Sequence, residues 1–550
     1  MAGPGLALTR SRVLVATLAA VPLLVLATFF VYPVTGMVGR GVFADGRFAP
    51  GGMLDVFSRP RTGRVVWFTV WSAGLATMVT LVAGVPLAWS LHRLRFPGRR
   101  LLRALVVVPF VLPTVVVGVA FGELFAPSGW LGALHLAGTP AAIVAALVFF
   151  NISVVVRVVG TFWENLDPRL EEAAATLGAG PVQVFRTATL PALLPGIIGA
   201  ATVVFLFCST AFGVVLTLGG LRYANVETEI YLLTTQELDL QGAAALSLLQ
   251  VLVITALLVL AHLTRRDAAP VDRAAGTTRR PRLGDSWVLG WSALVMAGLA
   301  LPLLALLVRS LRSGGGSWTL ANYQALGRVR QDLPVPATEG LANSVEIALV
   351  ATVIAMLLGI LVAGLVSRPP GPPGVRRAVA AFDGVFMLPL GVSAVTLGFG
   401  FLVTLDHPPL DLRASPWLVP IAQAMVALPL VVRTVTPVLR AVDDRQRQAA
   451  ASLGAGPLRV LLAVDLPVAW RSLLAATGFA FAVSLGEFGA TSFVVRESTP
   501  TLPVLIYRLI SHPGATNAGT AMAASVLLAG VTALVMLAVE RLRVGSMGAF

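Results

Sequence analysis

Long apolar runs alternate with short polar segments along almost the whole chain. Each run is about as long as the ~20 residues that an α-helix needs to cross the hydrocarbon core of a bilayer. Reading these runs predicts twelve membrane-spanning helices and an all-α membrane protein. The predicted spans are roughly 13–32, 67–91, 104–125, 140–159, 196–218, 243–263, 287–308, 342–366, 379–404, 418–438, 472–494 and 519–540.

The composition agrees with a chain whose solvent is the lipid bilayer. Hydrophobic residues make up 57% of the sequence and charged residues 12%, and the mean hydropathy is +0.87. These values lie outside the range of soluble globular domains. The single cysteine, Cys208, excludes an intrachain disulfide. The net charge of +14 is spread between apolar runs and forms no basic domain, so no nucleic-acid partner is expected.

The distribution of arginine predicts the orientation of the spans. If both termini are cytoplasmic, the inner segments hold 25 of the 40 basic residues, and the short loop 92–100 is strongly basic. Short basic loops stay in the cytoplasm. The first run follows Arg10 and Arg12, but it is long and no small-residue cleavage site follows it. We therefore expect a retained signal anchor and two cytoplasmic termini.

The chain contains an internal duplication. Residues 172–191 and 448–467 share eleven identities in 20 positions at an offset of 276. The polar stretch 264–286 separates the two copies and is predicted to be a cytoplasmic linker. We predict a first repeat over 1–263 and a second repeat over 287–550, with six spans each. Two copies that enter the membrane in the same direction pack about an axis along the membrane normal, with a pathway between them.

The duplicated segment is predicted to form a helix–turn–helix on the cytoplasmic side, which we call an elbow. The first elbow covers about 164–195 and the second about 440–471. In the first, good helix formers precede Gly178, which favours a helix stop, and Pro181 suits a new helix start. A single such loop could be a mere connection between spans. Its preservation in both copies favours docking to a partner, since loops diverge readily.

These residues resemble the permease subunits of type I ATP-binding-cassette (ABC) importers. The marks of that family are a Glu-Ala-Ala segment, a glycine a few residues later, and a Leu-Pro pair. The second copy differs in having Gln448 where the first has glutamate. The residues that carry the resemblance are Glu172, Ala173, Ala174, Gly178, Leu190 and Pro191 in the first elbow, and Gln448, Ala449, Ala450, Gly454, Leu466 and Pro467 in the second.

The resemblance implies that each elbow couples to a cytoplasmic ABC ATPase dimer, and that an extracytoplasmic substrate-binding protein delivers cargo. It also implies a multi-pass protein of the bacterial inner or plasma membrane. The chain itself is expected to be no enzyme and to hold no cofactor, with ATP and Mg²⁺ bound by the partner ATPase. Its sequence contains no phosphate-binding Gly-x-x-x-x-Gly-Lys-Ser/Thr loop and no lysine at all.

The cargo is predicted from further resemblance. The fused arrangement and segment 484–491 resemble the branch that carries thiamine, ferric iron and, as separate chains, sulfate and molybdate. Within that branch, segments 212–220 and 226–231 are most similar to thiamine permeases, so thiamine is the first candidate and ferric iron the second. Glu487 either attracts a cationic cargo or makes a structural hydrogen bond to a neighbouring helix. The residues predicted to line the substrate pathway are Phe212, Gly213, Glu487, Phe488 and Gly489.

Other polar residues are given smaller roles. Glu123, Glu346 and Asp383 are predicted to make polar contacts between helices. The histidines have no metal-ligand spacing, so neither a metal site nor a catalytic residue is expected. The rival function from another class is a secondary transporter driven by an ion gradient, since fused repeats with a midplane carboxylate would suit it too. That rival does not account for the doubled elbow.

Overall fold

The computed structural model describes residues 17–44, 47–49, 51–220, 222–264, 278–329, 335–367, 373–406, 408 and 410–544. Arg10 and Arg12, the start of the first predicted span and much of the predicted linker 264–286 lie outside the described residues. The described chain is almost entirely helical. The predicted all-α membrane fold is therefore confirmed.

The first half contains the following helices in chain order: α1 Thr17–Val42, α2 Gly51–Ser58, α3 Pro60–Arg93, α4 Arg99–Val111, α5 Thr114–Phe125, α6 Pro140–Glu164, α7 Pro168–Thr176, α8 Pro181–Ser209, α9 Gly213–Gly219, α10 Val226–Thr235 and α11 Leu240–Thr264. Two short strands, β1 Phe43–Ala44 and β2 Arg47–Phe48, pair antiparallel between α1 and α2. This small hairpin is an addition to the all-α prediction.

The second half repeats this order helix for helix: α12 Ser286–Ser310, α13 Ala321–Gln324, α14 Ala337–Val366, α15 Pro373–Met387, α16 Ala394–Thr404, α17 Leu418–Arg440, α18 Asp444–Ser452, α19 Pro457–Leu485, α20 Thr491–Val494, α21 Leu502–Ser511 and α22 Ala515–Val544. Several of these helices begin 276 residues after their counterparts, among them α7 and α18, α8 and α19, and α10 and α21. The duplication seen in two short segments thus extends through the architecture.

Ten helices of the described chain are long and apolar enough to cross a membrane, or eleven if the bent pair α4 and α5 forms one span. They account for ten of the twelve predicted spans. The other two, 104–125 and 379–404, are each broken into two helices. Helices α4 and α5 meet at 101°. Leu112 is extended at that bend, because the ring of Pro113 excludes the helical conformation from the preceding residue.

The two halves are interlocked through their first helices. Helix α1 packs against α16 of the second half, and the corresponding helix α12 packs against α3 and α5 of the first half. Lipid gives little hydrophobic drive for helix association, so such contacts depend on close van der Waals packing. The first helix of each half therefore packs against the other half, which holds the two halves together.

Glycine permits close helix contacts inside each half. A Cβ on Gly84 of α3 would lie 2.8 Å from a methyl group of Val155 on α6. The matching Gly359 of α14 faces Val431 of α17, where a Cβ would lie 2.5 Å from a methyl group. Small residues at these crossings let the backbones approach each other. The same glycine–valine contact therefore occurs once in each half.

The described end of the linker is bonded to the first half. The N–H of Arg279 donates to the carbonyl of Arg93 at 3.0 Å, and the N–H of Arg95 donates back to Arg279 at 2.8 Å. The Arg279 guanidinium also pairs with Asp285 at 2.6 Å. The linker end thus lies beside the basic loop that follows α3.

We predict that Gly84→Leu destabilises the protein. The new side chain would force α3 and α6 apart, and overpacking of this kind costs about 1–3 kcal/mol. The measurement is the thermal unfolding midpoint in detergent. Gly74→Leu on the same helix is the matched control, because a Cβ there meets no atom within 4 Å. Equal midpoints for the two variants would contradict the packing argument.

Candidate functional site

Each elbow begins with a capped helix. The Asp167 carboxylate accepts a hydrogen bond from the N–H of Arg169 at 2.9 Å, at the start of α7. The Asp443 carboxylate does the same for the N–H of Arg445 at 2.9 Å, at the start of α18. An acidic residue at this position satisfies a free N–H and interacts favourably with the helix dipole. Both elbow helices therefore start at fixed positions.

The turn of each elbow has the same hydrogen bonds. Gly178 has a φ of 86° and Gly454 a φ of 83°, a left-handed conformation that glycine adopts without strain. After α7, the N–H of Ala179 donates to the carbonyl of Ala174 at 3.2 Å. The N–H of Ala455 donates to Ala450 at 3.1 Å in the second elbow. This is the Schellman arrangement, so the helix stop predicted at Gly178 is confirmed, and Gly454 ends its helix in the same way.

Each turn exposes a leucine. Leu177 is 88% exposed and Leu453 is 89% exposed, and they occupy corresponding positions one residue before the turn glycines. The predicted elbow residues Glu172, Ala173, Gln448 and Ala449 are also exposed, whereas Ala174, Ala450, Leu190 and Leu466 are partly covered. Pro191 and Pro467 are exposed near the starts of the following long helix segments. The two elbows therefore expose residues at corresponding positions.

Different chemistry holds the same contact inside each elbow. In the first, the hydroxyl of Thr189 donates to Glu171 at 3.0 Å, and Arg93 at the end of α3 pairs with that carboxylate at 2.9 Å. In the second, Arg447 replaces the glutamate and pairs with the buried Asp465 at 2.8 Å. Burial opposes the charge of Arg447, but its bonds to carboxylates raise its pKa above the ordinary value. Both contacts join the elbow helix to a π-helical turn inside the next long helix, Phe185–Thr189 in α8 and Leu461–Asp465 in α19.

The two halves meet at a pair of stacked rings. Phe212 and Phe488 occupy corresponding positions just after α8 and α19, and their ring centroids lie 5.2 Å apart at 17°. Tyr231 lies 5.3 Å from Phe212, and the corresponding Tyr507 lies 5.5 Å from Phe488. We call these four residues the aromatic cluster. Offset aromatic pairs at such distances contribute about 0.5–1.5 kcal/mol beyond their buried area.

A cavity of about 330 Å³ lies between the halves, and Phe212 and Phe488 form one wall of it. The residues of α8 and α19 that line it precede these two rings, so the cavity extends from the aromatic cluster toward the elbows. Further rings in its wall are Phe110, Phe150, Phe207 and Phe479. All five residues of the predicted pathway are at or beside this interface: Phe212, Glu487, Phe488 and Gly489 line the cavity, and Gly213 follows Phe212.

The two pathway glycines allow backbones to cross closely. A Cβ on Gly489 would lie 3.0 Å from the Cβ of Ala394 at the start of α16. Gly213 similarly faces the side chain of Thr114 at the start of α5, where a Cβ would overlap it. Larger residues would push the broken helices α5 and α16 away from the pathway. Gly213 and Gly489 thus let the segments after α8 and α19 pack closely against the starts of α5 and α16.

Glu487 makes the structural hydrogen bonds that were one of its two predicted roles. Its carboxylate accepts from the N–H of Ala490 at 2.7 Å and from the N–H of Thr491 at 2.9 Å. The Thr491 hydroxyl also donates to it. These bonds occupy the free N–H groups at the start of α20. A carboxylate with several N–H and O–H donors has little remaining capacity for a ligand.

Glu227 is a cavity residue that sequence reasoning did not select. It is fully buried, lines the cavity, accepts a hydrogen bond from the amide of Gln250, and accepts another from the Ser393 hydroxyl at 2.9 Å. Ser393 belongs to the second half, so this bond crosses the interface. The available signal was a glutamate whose repeat mate is the uncharged Pro503.

The remaining predicted polar residues lie outside the cavity. Glu123 pairs with Arg309 at 2.9 Å and joins the halves, which agrees with its predicted role. Asp383 lies 3.8 Å from Arg440, and Glu346 is exposed. Among the described residues, no group of three or more histidine, cysteine, aspartate or glutamate side chains is arranged to hold a metal ion.

Two interlocked helical repeats around a central cavity, with matching elbows at one end, define a membrane permease. Residues 80–266 match the family described as "Binding-protein-dependent transport system inner membrane component". The sulfate transport system permease protein CysT of Salmonella typhimurium is 35% identical over 201 residues, which cover 35% of this chain and 73% of that protein. The chain belongs to this family. It is a permease subunit of an ABC importer and a multi-pass membrane protein.

Longer matches span both halves. The thiamine transport system permease protein ThiP of Brucella abortus is 28% identical over 515 residues, covering 89% of this chain and 91% of that protein. ThiP of Escherichia coli is 28% identical over 473 residues, covering 82% and 85%. The predicted resemblance to ABC permeases is confirmed, and the family favours it over the ion-gradient-driven alternative.

We predict that Arg447→Met loosens the second elbow. Asp465 would lose its arginine, and a hydrogen bond to a charged group contributes about 1.5–3 kcal/mol. Hydrogen–deuterium exchange over 444–465 measures the loss. The compensating control is Arg447→Glu with Asp465→Thr, which transfers the pair found in the first elbow and is expected to restore most of the protection. Equal exchange in the single and double variants would refute the equivalence of the two pairs.

Proposed function

We propose that this chain is the permease subunit of a thiamine importer. The observation that carries the proposal is the similarity to thiamine permeases over 89% of the chain, through both halves, the elbows and the cavity. The shorter match to a sulfate permease covers 35% of the chain. A mostly apolar cavity of about 330 Å³ between the halves, with several phenylalanine rings in its wall, also suits a small organic cargo better than a bare metal ion, which requires several oxygen or nitrogen ligands.

The elbows are proposed to dock a cytoplasmic dimer of ABC ATPase subunits. Two apolar side chains, Leu177 and Leu453, project from equivalent turns and lack a covering surface within the described chain. Exposed apolar groups at repeated positions are typical of interaction sites. Two elbows related by the internal repeat match a dimer of identical ATPases. ATP and Mg²⁺ would be bound by that partner, and this chain would hold no cofactor.

Transport then follows from movement of the elbows. Helix α8 runs without a gap from the first elbow to Ser209, three residues before Phe212, and α19 does the same before Phe488. Closure of the ATPase dimer would tilt both helices as levers. The aromatic cluster separates when the halves rock apart, which opens the cavity to cargo delivered by an extracytoplasmic binding protein. In the described state the stacked rings close that end.

The proposed orientation puts both termini in the cytoplasm. The first elbow, the basic loop after α3 and the end of the linker are bonded to one another through Arg93, Glu171 and Arg279. These segments therefore belong to one side of the membrane. Short arginine-rich loops remain on the inner side, which supports a cytoplasmic position for the elbows. The repeats 1–263 and 287–550 would then each start and finish inside.

The cargo proposal predicts thiamine uptake. Cells that lack their own thiamine permease, supplied with this chain, its ATPase and its binding protein, should accumulate radiolabelled thiamine. Uptake should be lost when the ATPase is omitted, because the chain has no nucleotide-binding loop of its own. The parallel assay uses labelled ferric iron. Accumulation of iron and not thiamine would replace the proposed cargo, and thiamine uptake without the ATPase would contradict an ATP-driven mechanism.

The docking proposal predicts loss of the ATPase when Leu177 and Leu453 are both changed to Asp. Charges at the centre of an apolar contact disfavour association, while the exposed sites leave folding intact. Co-purification of the ATPase with the permease measures docking. Leu283→Asp is the matched control, since Leu283 is 96% exposed but lies outside both elbows. Full co-purification with the double variant would exclude docking at these turns.

A further inference from the structure

Glu227 is a buried carboxylate with no positively charged partner among the described residues. Its hydrogen-bond donors, Gln250 and Ser393, are both neutral. Other acidic residues inside the described bundle are paired differently: Glu229 contacts Arg61 at 2.6 Å, and Glu123 contacts Arg309. A charge at this depth is costly unless it faces a partner or a cavity. Glu227 faces the cavity.

Glu487, the second carboxylate in the cavity wall, differs from Glu227 in how many hydrogen-bond donors it has. The oxygens of Glu487 accept from the N–H of Ala490 and from both the N–H and the hydroxyl of Thr491. Two carboxylate oxygens offer about four acceptor positions, so most of those of Glu487 are in use. Glu227 has two donors and therefore keeps free acceptor positions. Beside it, the amide oxygen of Gln250 is buried and has no hydrogen-bond partner among the described residues.

The rest of the cavity wall is mostly apolar and contains several aromatic rings. Phe110 lies 5.5 Å from Phe150, 5.6 Å from Phe207 and 6.3 Å from Phe479, the last pair being nearly parallel. These rings come from both halves and lie in the same cavity wall as Glu227 and the stacked Phe212. The faces of aromatic rings attract cations and stack on flat ligands. Rings together with one unpaired carboxylate are suited to an organic cation that is itself aromatic.

We infer that the cavity between the halves is a binding site for an aromatic organic cation, with its ring against Phe110 and Phe212 and its charge toward Glu227. The inference rests on the proposed function in so far as thiamine is the cargo, because the thiazolium ring of thiamine is such a cation. It adds that the permease itself selects for charge and aromaticity.

The bond between Ser393 and Glu227 gives this site a link to transport. It joins the two halves, so separation of the halves breaks it and removes one donor from Glu227. The cation then takes the position of the hydroxyl as a partner of the carboxylate. Return of Ser393 to Glu227 competes with the cation and favours its release. Glu227 thereby binds the cation when the halves are apart and bonds to Ser393 when the halves are together.

The test is protection of a reporter cysteine in the permease–ATPase complex, in lipid nanodiscs without nucleotide. Cys208 is the only cysteine of the chain, so Cys208→Ala provides a cysteine-free background. Val483→Cys and Thr210→Cys each place one thiol in the cavity wall, from opposite halves. The rate of alkylation by N-ethylmaleimide is measured against the concentration of added probe. The probes are thiamine, benzyltrimethylammonium, choline, and the uncharged aminopyrimidine half of thiamine.

We expect thiamine and benzyltrimethylammonium to slow alkylation at both reporters. Choline has the charge without the ring, and the pyrimidine has the ring without the charge, so each should protect at higher concentrations only. Glu227→Gln should raise the half-protecting concentration of both aromatic cations at least about tenfold, which corresponds to the loss of one favourable charge contact. Glu123→Gln, which removes a carboxylate outside the cavity, should leave that concentration unchanged.

A second variant guards against misfolding of the first. Phe110→Leu keeps an apolar side chain but removes a ring face, and it should weaken protection by benzyltrimethylammonium while that by choline stays the same. Phe121→Leu is its control, since Phe121 packs against Phe125 and Phe149 outside this cavity. Equal protection in the wild type and Glu227→Gln would overturn the inference, as would thiols that are never alkylated.

The proposed cargo and the proposed binding site can be refuted independently of each other. Thiamine uptake in cells without any protection of the reporters would leave the proposed function standing and refute the site. Protection by benzyltrimethylammonium without thiamine uptake would support the site and assign it to another aromatic cation.

Discussion

The structure depends on satisfying the peptide groups that are freed where long helices stop inside the bundle. Hydrocarbon offers no hydrogen-bond partner, so each such group must find one within the protein. After α8, the side-chain amide of Asn225 donates to the carbonyl of Ala211 at 2.7 Å. After α19, Glu487 accepts the N–H groups at the start of α20. These breaks bring Phe212 and Phe488 to the interface, so the pathway exists because these bonds compensate for the interrupted helices.

The two halves show how one architecture accommodates different chemistry. The break after α8 depends on a neutral amide, whereas the break after α19 depends on a carboxylate. The elbows show the same pattern, because a glutamate and a threonine in the first correspond to Arg447 and Asp465 in the second. Backbone features such as the left-handed turn glycines are identical. The two repeats therefore share their backbone conformation at the elbows and breaks, whereas the side chains that stabilise these features differ.

That divergence makes the pathway asymmetric. The aromatic cluster is built from corresponding residues of both halves, but Glu227 and Glu487 have the uncharged repeat mates Pro503 and Ala211. Corresponding aromatic residues from the two halves therefore close the pathway together. The carboxylates, in contrast, make the two sides of the cavity chemically different. Helices α8 and α19 connect the elbows to the segments that carry Phe212 and Phe488, so the elbows and the aromatic cluster lie at opposite ends of the same two helices.

The sequence by itself determined the features that follow local rules. Apolar runs of membrane length, the offset of 276, the stop at Gly178 and the restart at Pro181 depend on hydrophobicity, glycine conformation and proline geometry, which neighbours along the chain decide. The bend at Pro113 fell within the same rules but was hidden by the continuous apolar character of the sequence around it. Only the tertiary structure decided the partners. The stacking of Phe212 on Phe488, the N–H bonds of Glu487 and the contact of Glu227 with Ser393 join residues far apart in the chain, and hydropathy carries no information on which distant groups meet.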